Sequence, residues 1–282
     1  MRINPKDLVD GLKKLLVEAN TGLRSDVFEA LKKAKEEETS ENGQKVLSML
    51  IENAEIAQKE KKPLCQDTGY VDFYFHWPEG VDVPGDLQEI ADEAVKQTYR
   101  EESYRFSIVD DPVFERKNTG DNSPANITVL PSREKELKIT TMIKGAGSDN
   151  ASAVLMLNPS SSEQDIIEAV LSQVKDFGAK SCPPLVVGIG IGASFDRVAY
   201  LSKKALLRPI DEANPDKKYA QLERKILEKI NALRIGPSGL GGKATALNVS
   251  IEHAPCHMAT LPIAINLNCY ALRYAQTVLG GS

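Results

Sequence analysis

No stretch of this 282-residue chain approaches the roughly 20 consecutive apolar residues that a membrane-crossing helix needs. Its start, Met1-Arg2-Ile3-Asn4-Pro5-Lys6, lacks the apolar core of a secretory signal, which predicts a reducing, cytoplasmic setting. Positive charge is not in excess: a net charge of −5 argues against nucleic acid as the main partner. Repeats, low-complexity tracts and linkers are also missing. With 41% hydrophobic and 27% charged residues the composition is ordinary for a globular protein of one large or two modest domains, and the order of elements makes a single α+β domain over residues 1–282 the expectation. Cysteine is scarce, at four, and in a reducing setting such residues are metal ligands or buried fillers more often than disulfides.

Residues 1–62 read as helices, with Leu8, Leu12, Leu15 and Leu16, then Val27 and Leu31, then Val46, Leu47, Leu50 and Ile51 at helical spacing. They predict a surface-capping helical bundle on mixed β-sheets. A strand is expected at 70–77 and a helix at 87–100. The polar, aperiodic stretch 103–126 is of the kind that is either functional or disordered. Segments 127–130 and 137–143, split by Ser132-Arg133-Glu134-Lys135-Glu136, predict a hairpin. Strands follow at 154–157, 185–191, 245–251 and 261–267. Helices are expected at 163–177, 195–206 and 218–233, with a last one from about Tyr270. Hairpins mixed with strand–helix alternation give the α+β class.

Two glycine-rich segments invite familiar readings. Gly188-Ile189-Gly190-Ile191-Gly192 follows a strand and precedes a helix, and Ala193 stands at the dinucleotide fingerprint's third glycine, where alanine is sometimes allowed, so the match is a weak one. Gly236-Pro237-Ser238-Gly239-Leu240-Gly241-Gly242-Lys243 has Pro237 and Ala244 where a phosphate loop needs glycine and Ser or Thr. Glycine turns of this kind still leave outward N–H donors that attract anions, unless they are simply tight turns. Gly145-Ala146-Gly147-Ser148 has the same character.

His253, Cys256, His257 and Cys269 permit a zinc reading, although the paired knuckles of structural zinc are absent. An electron carrier would cluster its cysteines as C-x₂-C-x₂-C. Here 117 residues separate Cys65 from Cys182 and 87 separate Cys182 from Cys269. Ligands spread so widely point to a site assembled by a whole domain. For any one cysteine the alternative is a small buried hydrophobe. Cys182 alone carries a local hint, the proline directly after it.

Cys65-Gln66-Asp67-Thr68-Gly69, Asn118-Thr119-Gly120-Asp121-Asn122, Lys144-Gly145-Ala146-Gly147-Ser148, Ser181-Cys182-Pro183-Pro184 and Gly239-Leu240-Gly241-Gly242-Lys243 occur in that order. Together they resemble the alpha subunit of the iron–sulfur hydro-lyases, class I fumarate hydratase and L-tartrate dehydratase, over nearly the whole chain. The resemblance implies a [4Fe–4S] cluster on Cys65, Cys182 and Cys269, with one iron left open. Cys269 is preferred to Cys256 because it lies seven residues after Pro262 and twelve after His257, as the family's third ligand does.

The resemblance further implies Asp67 and His257 as catalytic groups. Gln66, Arg105, Gly147 and Lys243 become substrate contacts, with Arg105 supplying a planar fork for a carboxylate of a four-carbon dicarboxylate. From the residues alone, Asp67 would shape an Asx-type turn and Arg105 would be one solvated arginine among many. Single-chain enzymes of this type carry a further C-terminal domain. This chain stops at Ser282, so the expectation is a separate beta subunit, an α2β2 assembly and an oxygen-sensitive cluster. Fumarate hydration leads and tartrate dehydration is the alternative. A non-catalytic zinc- or nucleotide-binding protein is the rival from another class.

Overall fold

A computed structural model describes residues 1–280. In chain order it contains α1 (Pro5–Thr21), α2 (Ser25–Glu37), α3 (Glu41–Glu60), β1 (Tyr70–Pro78), α4 (Leu87–Glu101) and β2 (Asn126–Ser132). Next come β3 (Leu137–Lys144), the one-turn α5 (Ala146–Asp149), β4 (Ala153–Leu157), α6 (Glu163–Phe177) and a 3₁₀ turn at Gly178–Ser181. β5 (Leu185–Gly192), α7 (Phe195–Ala205) and α8 (Lys217–Ala232) follow. A second 3₁₀ turn at Pro237–Gly239 leads to β6 (Ala246–Ala254), β7 (Leu261–Asn268) and β8 (Arg273–Leu279). The fold is α+β, as expected. Among the described residues, no helix is long and apolar enough to cross a membrane.

The chain forms two compact units. Unit 1 comprises Met1–Leu23, Ala54–Gly145 and the segment from Arg273; unit 2 comprises Arg24–Asn53 and Ala146–Leu272. Unit 1 holds a sheet in the order β2-β1-β3-β8, and unit 2 one in the order β4-β7-β5-β6. α1 begins where Asn4 caps the Lys6 N–H at 2.9 Å and Pro5 takes the first helical position. Its buried face, Leu8, Leu12, Leu15, Leu16 and Ala19, packs against α4, β3 and β8. Val71, Phe73 and Phe75 of β1 complete that core with Tyr99 and Ile139. In unit 2, Val170 and Val174 of α6, Ile226 and Ile230 of α8, and Val187, Ile189, Ile251, Ile263 and Ile265 of the sheet form a second core.

Three expectations need correcting. Segments 127–130 and 137–143 are strands, but not a hairpin: β1 lies between them, parallel to β2 and antiparallel to β3. β1 is the more apolar strand and is buried along most of its length, whereas β2 is mostly half-exposed, so burial drives β1 to the centre and β2 to the edge. The last element is a strand rather than a helix, with β8 paired antiparallel to β3 from Arg273↔Ile143 to Leu279↔Leu137. Finally, residues 1–62 form no separate bundle. α1 packs in unit 1, while α2 packs against β6 in unit 2, because each apolar stripe is matched by a different sheet.

The Gly188–Gly192 run lies inside β5 and is no phosphate-binding turn. A Cβ at Gly188 would stand 2.2 Å from the Ser202 carbonyl oxygen, and one at Gly190 2.3 Å from that of Val198. These two glycines let the backbone of α7 lie directly on the sheet. The nucleotide reading loses its structural basis.

Candidate active site

In unit 1 the segment Cys65–Gly69 enters β1 through a loop held on every side. The Leu64 N–H bonds the Asn20 carbonyl at 2.7 Å. The Thr68 hydroxyl donates to the Arg105 carbonyl at 2.5 Å, and the Thr68 carbonyl accepts from the Tyr99 phenol at 2.6 Å. Burial pushes that phenol well above its ordinary pKa, with the Arg273 charge partly opposing it. Asn122 bridges the loop to the polar stretch. Its amide donates to the Gly69 carbonyl at 3.0 Å and its oxygen accepts the Ser107 N–H at 2.6 Å. The stretch 103–126 is therefore the buttress of the cysteine loop.

Asp67 is half-buried in this loop, and its Oδ1 accepts the Gly69 N–H at 3.0 Å, the Asx-type turn expected from the residues. Its backbone carbonyl accepts from the Arg273 guanidinium at 2.6 Å, and Arg273 is only 2% exposed. A Cβ at Gly145 would meet Asp67 Oδ2 at 2.9 Å and Arg273 Nη2 at 3.3 Å, so the carboxylate and a buried cation flank the same glycine. Unit 1 thus brings together Cys65, Asp67 and the Arg105 backbone. The side chains of Gln66 and Arg105 are exposed. Arg273 was not legible as a site residue: it falls where a helix was expected, and no motif marks it.

Unit 2 gathers its own set at one end of the sheet. β5 and β7 run antiparallel with Val186 opposite Asn268, so Cys182, just before β5, and Cys269, just after β7, share that end. β6 runs parallel to β5, which brings the segment before it, including Lys243, to the same end. β4 is antiparallel to β7, and α5 with Gly147 immediately precedes it. The Lys180 carbonyl lies 3.8 Å from where a Gly147 Cβ would stand. Cys182 is exposed and adopts left-handed backbone angles (φ 51°, ψ 63°), a conformation that costs a non-glycine residue about 1 kcal/mol. Cys65 and Cys269 are partly exposed, and none of the cysteines is in a disulfide.

His257 is not at this end. It sits in the turn between β6 and β7, beyond the C-terminal end of β5. The eight residues of β7 separate it from Cys269 by roughly 25 Å at the usual rise per residue. Its Nδ1 accepts the Ala259 N–H at 3.1 Å. Nearby, the His253 ring stacks on Tyr219 with centroids 4.0 Å apart, and the Cys256 thiol donates to the Thr260 carbonyl at 3.3 Å. Among the described residues, neither unit gathers three His, Cys, Asp or Glu side chains into a single-ion site.

The anion that the glycine turn was expected to attract belongs to the chain itself. Glu38, 2% exposed, accepts the Lys243 and Ala244 N–H groups at 2.7 and 3.1 Å. Lys243 turns its side chain outward, lining a groove of about 520 Å³ with Lys33 and Arg234, and neither Cys182 nor Cys269 borders that groove.

The sequence matches the family described as Fumarate hydratase (Fumerase) over residues 9–278. The chain belongs to the fumarate hydratase family. Among relatives of this Fumerase-family chain, a Methanocaldococcus jannaschii protein provisionally named L(+)-tartrate dehydratase subunit alpha is 43% identical, covering 94% of this chain and 95% of its own. The L(+)-tartrate dehydratase alpha subunits of Escherichia coli K12 and Shigella boydii are each 31% identical, covering 90% of this chain and 84% of theirs.

Proposed function

We propose that this chain is the alpha subunit of a [4Fe–4S] hydro-lyase that interconverts fumarate and L-malate, with Cys65, Cys182 and Cys269 holding the cluster. Membership of the fumarate hydratase family carries the reaction class. The observation that favours the ligand set is the meeting of Cys182 and Cys269 at one end of the unit 2 sheet, while Cys256 stands at the other. All three proposed ligands are unpaired by disulfides, lie in loops at strand ends, and offer the soft thiolate donors that iron–sulfur clusters take. When bound on three thiolates, such a cluster supplies an iron with an open position, a Lewis acid for the substrate hydroxyl.

The protein's own residues supply the rest. Asp67 moves the proton at the neighbouring carbon; the Gly69 N–H fixes its carboxylate and the buried Arg273 fixes its backbone. Arg105 meets a substrate carboxylate, its planar fork suited to bidentate contact, while Lys243, whose side chain lines a groove that Cys182 and Cys269 do not border, adds positive charge at their end of the sheet without touching the substrate. Gln66 and the Gly147 N–H add hydrogen bonds. His257, in the turn between β6 and β7 at the other end of the unit 2 sheet, would act as acid or base only in a site that another chain completes.

A beta subunit completes the enzyme, in an α2β2 assembly, and a reducing compartment such as the cytoplasm suits the open cluster. The relatives named as alpha subunits support the partner. Those same names favour a second reading, dehydration of L-tartrate to oxaloacetate. Coexpression with the beta subunit, anaerobic purification and assay of malate, fumarate and L-tartrate separate the two. A colourless protein with a single zinc would contradict both. Full turnover by the chain alone would contradict the subunit reading.

A further inference from the structure

Glu38 is a buried carboxylate that accepts hydrogen bonds from four backbone N–H groups. Its Oε1 accepts from Thr39 and Ser40 at 2.8 and 2.9 Å, and its Oε2 from Lys243 and Ala244 at 2.7 and 3.1 Å. One oxygen thus holds the turn between α2 and α3, and the other holds the end of the glycine-rich loop, more than 200 positions away in sequence. Such charge-assisted bonds are about twice as strong as neutral ones. Glycine makes the approach possible: a Cβ at Gly242 (φ 121°) would lie 2.7 Å from Oε2.

The loop that Glu38 holds closes on itself and reaches Cys182 from two directions. Gly241 donates to the Ile235 carbonyl at 2.8 Å, and Gly236 to the Thr245 hydroxyl at 3.1 Å. At its tip the Ser238 N–H bonds the Pro183 carbonyl at 2.8 Å, the residue directly after Cys182. Gly239 packs on Ala179, its Cβ position 3.1 Å from the Ala179 Cβ, three residues before Cys182. The cysteine between these two contacts is the one in left-handed backbone geometry, a conformation its surroundings must impose.

We propose that Glu38 is a positioning residue for Cys182: by fixing the loop 236–244 it holds the strained cysteine turn in the geometry that presents the thiolate to the cluster. This deepens the reading of Cys182 as a ligand and rests on it. The nearest thiol at the other end of the sheet, Cys256, is outside the device and serves as an internal reference.

The test has two parts that fail separately. Amide hydrogen exchange on the cluster-free full-length chain compares wild type with Glu38→Gln, whose carboxamide keeps one acceptor oxygen, and Glu38→Asp, whose arm is one methylene shorter. Both are expected to speed exchange at residues 236–244 and 178–184 by roughly tenfold, with residues 253–260 unchanged. Val198→Ala, a fully buried site in α7, gives a control variant of reduced stability. In the second part, the reconstituted αβ complex is challenged with an iron chelator under argon. The half-life of the cluster's visible absorbance should shorten in the Glu38 variants and not in Val198→Ala at an equal fall in Tm. Acceleration confined to 236–244, or an equal effect of Val198→Ala, overturns the proposal. If no variant, wild type included, takes up iron, the hydro-lyase reading fails while the exchange result still decides whether the staple reaches Cys182.

Discussion

Gly69 closes the Cys65–Gly69 loop, and replacing it with alanine tests the loop's construction most sharply. Gly69 has φ +58°, so alanine there carries a left-handed penalty of about 1 kcal/mol. Its Cβ would also lie 2.2 Å from the Lys144 carbonyl oxygen and 2.7 Å from the carbonyl carbon. Those atoms belong to the backbone of β3, where Lys144 pairs with Tyr70 at the start of β1. No side chain can swing away, so two paired strands must part by about an ångström, beyond what a close-packed interior absorbs without loss. The bonds from Asn122 to the Gly69 carbonyl and from the Gly69 N–H to Asp67 are strained with them. Together these place the loss at about 3–5 kcal/mol. Gly80→Ala is the matched control: φ is +75°, but nothing lies within 4 Å of its Cβ position, so only the backbone penalty of about 1 kcal/mol applies. Urea unfolding followed by circular dichroism measures both. Equal losses for Gly69→Ala and Gly80→Ala would refute the close-approach argument.

Burial raises the Glu38 pKa, but the N–H groups of Ser40, Ala244, Lys243 and Thr39 outweigh it and hold the carboxylate below its usual range. A depressed folded-state pKa contributes stability above the unfolded pKa of 4.5, and that stability is lost as pH falls through the folded value. Glu38→Gln should therefore flatten the acid limb of a Tm-against-pH curve below about pH 4.5; an unchanged limb would show that the carboxylate is not held as described. Tyr99→Phe removes the donor to the Thr68 carbonyl and should cost about 1–2 kcal/mol in urea unfolding, with a loss under 0.5 counting against the bond. His257→Ala should leave iron content after anaerobic reconstitution at the wild-type level, because β7 separates it from Cys269; a marked loss would mean that the histidine reaches the cluster.

Much of the fold was legible because its signals are local. The helical stripe of Leu8, Leu12, Leu15 and Leu16 and the unbroken apolar run of β5 both appear as read. What misled was strand partnership, which is not local. The charged turn at Ser132–Glu136 does join two strands, yet β1 takes the place between them because its core-facing Val71, Phe73 and Phe75 demand cover on both edges. β8 was misread because its buried positions include Arg273 and Ala275, which carry little apolar alternation. At the site, motif residues mark Cys182, Cys269, Gly147 and Lys243, whose common sheet end follows from strand direction alone. Arg273 and Glu38 were invisible, since a buried ionic group that bonds only backbone leaves no pattern in sequence. His257 was carried by resemblance, and strand direction sets it apart.

The account depends most on which sulfurs hold the cluster, and iron and sulfide content per chain after anaerobic reconstitution of serine variants measures that directly. The prediction is about four iron and four sulfide for wild type and for Cys256→Ser, and loss of the cluster in Cys65→Ser, Cys182→Ser and Cys269→Ser. A full cluster in any of those three, or its loss in Cys256→Ser alone, would contradict it.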